Sequence, residues 1–269
     1  MIFQICSNLR LSNLNNKLKF KDILVPKSTI LFLAGDIGMP TSTKYKKFIE
    51  YVSKNFEHVF LIAGTFEYKM YRYDIKTINK KIRDICNQYK NVYFLNNQVH
   101  EVGNFSVIGS VLWGKLNGEN QKYIENKQSE LNNIKYNNKK LWISDLNKLN
   151  DEAVHFINKT LEEQEGTNKI VFLLTNYIPT INNKLVTQIK GNIGKFLFSK
   201  SLKEQNKFNL ITINQMLNKR YETYFFNDIK ITKNLKYCIF GKYIGSIKIV
   251  YNNTIYASNS DYDVSSYCV

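Results

Sequence analysis

The order of apolar and polar positions along the chain predicts an α/β protein. Five short apolar runs have the length and composition of buried strands, and each ends in glycine or in small polar residues. These runs span 2–6, 28–34, 59–63, 170–174 and 237–240. Buried strands that carry polar side chains at their carboxyl ends are typical of α/β enzyme sites. We therefore expect the five strand ends to converge on one site.

Apolar residues at helical spacing predict helices that cover these strands. The predicted helices span 43–56, 75–89, 141–165 and 209–226. Further strands are predicted at 92–95, 98–102 and 105–112, and three strands are predicted within 235–257. Residues 68–73 are rich in tyrosine, and we predict a packed loop there, with a surface for stacking on a base or sugar as the alternative.

The length of the chain fits one domain. A chain of 269 residues is long enough for one large α/β domain. We predict a single domain over 1–269, with candidate insertions near 114–140 and 180–208, where the periodicity is weak. No apolar run approaches the roughly 20 residues of a membrane span, and the chain begins with a strand instead of a secretory signal. We expect an intracellular, cytoplasmic protein that does not enter membranes.

The five strand ends resemble the sequence blocks of the calcineurin-like metallophosphoesterases. The blocks of that family read Asp-x-His, Gly-Asp, Gly-Asn-His-(Asp/Glu), a lone His and Gly-His-x-His. The matching stretches here are, in the same order, Ser-Asn-Leu-Arg at 7–10, Gly-Asp at 35–36, Gly-Thr-Phe-Glu at 64–67, Thr-Asn-Tyr at 175–177 and Gly-Lys-Tyr-Ile at 241–244. The resemblance implies a four-layer α/β/β/α sandwich of two mixed sheets, with Trp113 near the rim of a site that binds two divalent metals and hydrolyses phosphoric esters.

Most positions that bind metal in the family carry other residues in this chain. Asp36 matches outright, at the position that bridges the two metals. Glu67 matches as well, although the resemblance does not make it a direct metal ligand. Phe66 replaces the histidine that protonates the leaving group. All of the replaced positions are Asn8 and Arg10 in the first block, Thr65 and Phe66 in the third, Asn176 in the fourth, and Lys242 and Ile244 in the last.

Elementary coordination chemistry predicts that this degenerate site holds no metal. A two-metal centre needs several anionic or imidazole ligands, because each cation loses hydration and the bridging water must lose a proton near neutral pH. One carboxylate cannot supply them, and Arg10 and Lys242 would repel a cation. The histidines of the chain, His58, His100 and His155, lie outside the motif positions. The sequence therefore predicts no cofactor and no catalytic residue.

A carboxylate left without metals needs other compensation. Removing both cations from a partly buried Asp36 would cost on the order of several kcal/mol. Arg10 and Lys242 take positions that bind metal through histidine in the family. We therefore expect at least one of them to form an ion pair or a charge-assisted hydrogen bond with Asp36.

The formal net charge of +16 leaves more than one function open. It suits a nucleic-acid partner, but an AT-rich genome, such as that of a giant virus, also raises the content of Lys, Asn, Ile and Tyr. Codon bias raises lysine everywhere, whereas a binding site needs lysine on one face. Three classes remain: a pseudoenzyme with a protein partner or a structural role, a nucleic-acid or nucleotide binder, and a residual metal-dependent phosphoesterase. A viral protein could also act in the viral factory or the virion.

Overall fold

The first of two main sheets has four strands that are parallel throughout. The structure is a computed structural model, and it describes residues 2–15, 17–69, 72–115, 133–179, 229, 231–241 and 246–259. The strand order is β1-β2-β3-β4. The strands are β1 (Phe3–Cys6), β2 (Ile30–Ala34), β3 (His58–Ile62) and β4 (Val92–Phe94).

The second sheet is mixed and has six strands in the order β11-β12-β10-β9-β6-β5. Its central strands are parallel, and an antiparallel strand lies at each edge. A separate two-stranded hairpin is formed by β7 and β8. These strands are β5 (Gln98–Val102), β6 (Phe105–Ser110), β7 (Lys135–Tyr136), β8 (Lys139–Lys140), β9 (Ile170–Thr175), β10 (Leu235–Phe240), β11 (Ser246–Tyr251) and β12 (Thr254–Asn259).

The helices begin where local chemistry satisfies their free amides. The Ser42 hydroxyl accepts the amide of Tyr45 at 3.1 Å, and Asp74 Oδ1 accepts the amide of Lys76 at 2.9 Å. These two caps start the amphipathic helices α2 and α4. The α-helices are α1 (Phe20–Ile23), α2 (Thr43–Asn55), α3 (Thr65–Tyr68), α4 (Ile75–Cys86) and α5 (Ile143–Glu165), and a 3-10 turn spans Leu11–Asn13.

The sheets and helices stack as four layers. Between the sheets, Phe172 of the second sheet stacks on Phe32 with ring centroids 5.2 Å apart and meets Phe3 edge-on at 5.5 Å. Outside the first sheet, the apolar sides of α2 and α4 are buried, while outside the second sheet Ile157 and Leu161 of α5 are buried. Burial of these apolar faces is the main stabilising contribution. The predicted α/β/β/α sandwich is therefore confirmed.

The predicted elements agree with the observed ones apart from the ends of several helices and strands. The first sheet, however, contains no antiparallel strand within the described ranges, so one of the two sheets is mixed. Residues 135–140, inside a candidate insertion, form the hairpin. The predicted helix at 209–226 and the insertion near 180–208 lie outside the described residues. No helix in the described part of the chain is both long and apolar enough to cross a membrane.

Candidate functional site

The polar ends of β1, β2, β3, β9 and β10 meet at one edge of the sandwich, as the sequence predicts. Ala34 pairs with Ile62, so the chain leaves β2 and β3 at the same level. The amide of Asn8 donates to the carbonyl of Gly35 at 3.1 Å, which joins the β1 end to the β2 end. The Asn176 side chain joins the two sheets, because its Nδ2 donates to the Ala34 carbonyl at 3.0 Å.

Glu67 is fully buried at the centre of this edge and binds the loops that follow β2 and β3. Its Oε1 accepts the amides of Ile37 at 2.6 Å and Gly38 at 3.1 Å. Its Oε2 accepts the amides of Asp36 at 3.0 Å and Gly64 at 2.8 Å. One side chain thus satisfies four backbone donors that would otherwise be buried without partners. Sequence analysis missed this role.

The surroundings of Glu67 disfavour its charged form. Burial, followed by the nearby carboxylate of Asp36, raises the pKa of Glu67 to about 8. The amides of Gly64 and Gly38 act in the opposite direction because they stabilise the anion, but burial outweighs them. The folded protein therefore holds a proton on Glu67 over a pH range in which the unfolded chain has already released it.

We expect the free energy of unfolding to fall as the pH rises from about 7 to about 8, by up to about 1.4 kcal/mol for one proton. A carboxyl group whose pKa is raised on folding binds its proton more tightly in the folded state, so removing protons favours the unfolded chain. Urea denaturation at both pH values measures the slope, and Glu67→Gln should flatten it. An unchanged slope in that variant would contradict the assignment.

Asp36 lies next to Glu67 and is bound by a backbone amide. The Asp36 side chain is 1 % exposed, and its Oδ1 accepts the amide of Phe66 at 2.7 Å. The residue has a left-handed backbone with φ of 57°, and it follows Gly35, whose φ is 83°. The sharp turn at these two residues places the carboxylate over the start of α3, where amides are free to donate.

The expected pairing of Arg10 with Asp36 is not what the structure shows. The Arg10 guanidinium lies over the ring of Phe66, 5.6 Å from its centroid, and the backbone amide of Arg10 donates to the Asp36 carbonyl at 3.0 Å. Among the described residues, the ion pairs do not include one between these two side chains. The amide of Phe66 donates to the carboxylate instead. Lys242 and Ile244 lie outside the described residues.

The remaining substituted positions are packed. Thr65 is 3 % exposed and Phe66 is 9 % exposed, so an apolar ring lies at the start of α3 beside Asp36. Asn8 has a left-handed backbone with φ of 55° at the end of β1. Asn176 is fully buried, and its Oδ1 has no hydrogen-bond partner in the described part of the protein.

A pair of divalent metals does not fit this arrangement. Asp36 Oδ1 accepts the amide of Phe66, and Glu67 uses both of its oxygens on backbone amides. Of these side chains, Asn176 offers an oxygen, Oδ1, that has no hydrogen-bond partner in the described part of the protein, and one neutral oxygen cannot hold two cations. Within the ranges that the structure describes, no group of three or more His, Cys, Asp or Glu side chains could hold a metal ion. Hard divalent cations need several such ligands.

An aromatic cluster closes one side of the site. Trp113 is buried, and its ring stacks on Tyr68 with centroids 5.5 Å apart and lies 6.5 Å from Tyr177. The Tyr68 hydroxyl donates to Asn79 Oδ1 at 2.6 Å. Trp113 therefore lies beside the site as predicted, and Tyr68 is buried, so its own ring offers no open stacking surface.

The class of fold is that of the metallophosphoesterases. The chain is similar to the crystal structure of phosphopantetheinyl hydrolase from Mycobacterium tuberculosis, with a TM-score of 0.58 and 12% identity over 96% of this chain and 89% of that one. A putative 5′-nucleotidase from Staphylococcus aureus gives a TM-score of 0.46 and 9% identity over 97% of this chain and 48% of that chain, which is too weak to define a shared fold.

A similar sequence occurs in a giant virus. The uncharacterized protein L509 of Acanthamoeba polyphaga mimivirus is 30% identical over 164 residues. The match spans 58% of this chain and 57% of that protein, so each extends well beyond the shared part. No protein-family model matches the chain.

Proposed function

We propose that this protein is a pseudoenzyme: it keeps the metallophosphoesterase fold but does not hydrolyse phosphoric esters, and it serves a binding or structural role. The proposal rests on one observation: the polar side chains at the strand ends bind backbone groups and so crosslink the loops. Asp36 and Glu67 accept backbone amides, and Asn176 donates to a backbone carbonyl. A ligand set that holds loops together in this way is not free to exchange ligands with a metal and a substrate.

The apolar side chain of Phe66 supports the same proposal. Hydrolysis of a phosphoric ester needs a group that protonates the leaving oxygen, and an aromatic hydrocarbon has no proton to give. Phe66 stands at the position where the resemblance places that group, and the guanidinium of Arg10 lies over its ring. Restoring one metal ligand, for example by Asn8→Asp, should therefore not produce activity.

We expect the protein purified after expression with manganese, iron or zinc to carry much less than one metal ion per chain and to show no turnover of bis(p-nitrophenyl) phosphate. Elemental analysis and a colorimetric assay measure the two quantities. A metal content of about two ions per chain, with turnover that is lost in Asp36→Asn, would contradict the proposal. Asp84→Asn, at an exposed ion pair with Lys80 on α4, is the matched control, because activity from a contaminant would persist in both variants.

We further propose that the chain comes from a giant virus and acts in the host cytoplasm, the viral factory or the virion. The similarity to a mimivirus protein supports this origin. Mass spectrometry of purified particles distinguishes a virion component from a protein confined to the infected cell, and detection only in an uninfected cellular organism would contradict the proposal.

A further inference from the structure

The two outer helix layers of the sandwich carry opposite charge. On one side, α2 and α4 together contain eight lysine or arginine residues and two carboxylates. On the other side, α5 contains six carboxylates and two lysines. A genome that favours lysine codons raises the lysine content of both layers alike. The contrast therefore indicates that the positive charge of the first layer has a cause besides codon bias.

The β7–β8 hairpin adds three more lysines beside α4. Asp74 fixes the hairpin to the start of the helix: its Oδ2 accepts the amide of Asn138 at 2.8 Å, and its Oδ1 accepts the amide of Lys76. Asp74 is 8 % exposed, and both of its carboxylate oxygens accept backbone amides. We use the name basic face for the positive side chains around this junction, which are Arg72, Lys76, Lys80, Lys81, Arg83, Lys135, Lys139 and Lys140.

Aromatic rings lie among these positive charges. Lys81 Nζ lies 5.0 Å from the ring centroid of Tyr73, and the Arg72 guanidinium lies 5.9 Å from the same centroid. Lys140 Nζ lies 5.2 Å from the ring centroid of Trp142, which lies two residues after β8 and immediately before α5. Trp142 is 50 % exposed, which is unusual for a residue of this size. Tyr73, by contrast, is partly buried against the core. An exposed ring beside a cation, as Trp142 is, can stack on a base while neighbouring cations contact its phosphates.

We propose that the basic face binds single-stranded nucleic acid, with its lysines on the phosphates and with the adjacent Trp142 stacked on a base. This proposal depends on the proposed function in one respect, which is that the chain has a binding role. Metal content and turnover test the inactive site, whereas oligonucleotide affinity tests the basic face. Failure of one is therefore distinguishable from failure of the other.

The observations favour nucleic acid over an anionic membrane. A helix or loop that binds a membrane surface inserts several apolar side chains below the headgroups. Among the described residues of the two segments that carry the basic face, 72–86 and 135–142, Trp142 is the one large hydrophobic residue that is exposed. Single-stranded nucleic acid needs no such insertion, because it offers phosphates to the lysines and an accessible π-face to the ring.

The test measures fluorescence anisotropy of a labelled oligothymidylate of about 20 nucleotides, which covers one or more typical binding sites. We expect the logarithm of the affinity to fall linearly with the logarithm of the salt concentration, by about 0.7 for each phosphate contact. The variant Lys76→Glu/Lys139→Glu/Lys140→Glu should bind at least about tenfold more weakly and reduce that slope by about 2, since three phosphate contacts are lost.

The matched control is Lys159→Glu/Lys233→Glu/Lys236→Glu, which changes the net charge by the same amount at exposed positions on and beside α5. It should change the affinity by less than about twofold, because its charges belong to α5 and its surroundings and not to the basic face. Equal losses in the two variants would overturn the proposal, since they would show that net charge alone drives binding. Circular dichroism checks that both variants are folded.

The aromatic part of the proposal has its own test. Trp142→Ala should weaken binding of the single strand roughly tenfold through the loss of one stacked base, and it should leave the affinity for a duplex of the same length nearly unchanged, because duplex bases are not accessible. No complex with the single strand at low salt, equal loss for both nucleic acids, or tighter binding to phosphatidylserine vesicles than to the oligonucleotide would each overturn the proposal.

Discussion

Replacing Glu67 with alanine should destabilise the protein by about 4 kcal/mol. Each buried donor left without an acceptor costs on the order of 1–3 kcal/mol, and this substitution removes the acceptor of several donors at once. The four affected amides belong to Asp36, Ile37, Gly38 and Gly64, so both loops lose their common anchor. Urea denaturation followed by circular dichroism gives the free energy of unfolding, provided the transition is two-state.

Two further variants make the Glu67 result specific. Glu67→Gln keeps one oxygen and should fall between the wild type and Glu67→Ala, so the series stays informative even where alanine prevents folding. Glu50→Ala removes a carboxylate of the same type from an exposed ion pair with Lys54 on α2, and it should change stability little. If Glu67→Ala is as stable as Glu50→Ala, Glu67 does not organise the site.

The fold could be predicted from the sequence because its signals are local. Helix α2 was predicted at 43–56 and spans Thr43–Asn55, and α5 was predicted at 141–165 and spans Ile143–Glu165. Apolar periodicity determines where such a helix packs, whereas its last turn depends on caps and neighbours that periodicity does not encode. The direction of each strand in the first sheet depends on long-range pairing, which is why its parallel character was missed.

The site could be predicted in its location but not in its bonding. Sequence blocks at strand ends placed Asp36, Glu67 and Asn176 together, because parallel strands deliver their carboxyl ends to one edge. The partners of these side chains are backbone groups, and a sequence shows no backbone amides. One feature of the sequence could have indicated the role of Glu67. It keeps the family's acidic residue in a block where Thr65 and Phe66 differ from the family. The orientation of Arg10 over Phe66 likewise depends on a left-handed backbone conformation of Arg10, with φ of 45°. The neighbouring residues in the sequence do not predict that conformation.

These bonds suggest how a phosphoesterase-type fold can keep its shape with a ligand set that does not fit metals. In a metal-binding site, cations offset the repulsion between carboxylates and hold the strand-end loops together. In this chain a proton on Glu67 reduces the repulsion from Asp36, and backbone amides hold both side chains. The loops at this edge are therefore organised by interactions within the chain.

The close packing at this edge leads to the second large expected effect, a loss of about 3 kcal/mol of stability in Gly64→Ala from overpacking. A Cβ added at Gly64 would lie 2.3 Å from Asp36 Oδ1, 2.5 Å from the Asp36 amide nitrogen and 2.7 Å from Asn176 Nδ2. Real side chains do not approach so closely, and all three atoms are held by hydrogen bonds across the site. The added methyl group must therefore separate the β2 and β3 loops or displace Asn176.

Gly166→Ala provides the matched control for this substitution. Gly166 follows α5 with φ of −77°, and a Cβ there would meet no atom within 4 Å. The same methyl group should therefore leave stability unchanged or raise it slightly, because alanine has less conformational freedom than glycine in the unfolded chain. Thermal and urea denaturation of the two variants isolate the effect of position from that of the residue. Equal stability of Gly64→Ala and Gly166→Ala would mean that the site is loosely packed and has room for a ligand, which would contradict the crosslinked arrangement on which the inactive assignment depends.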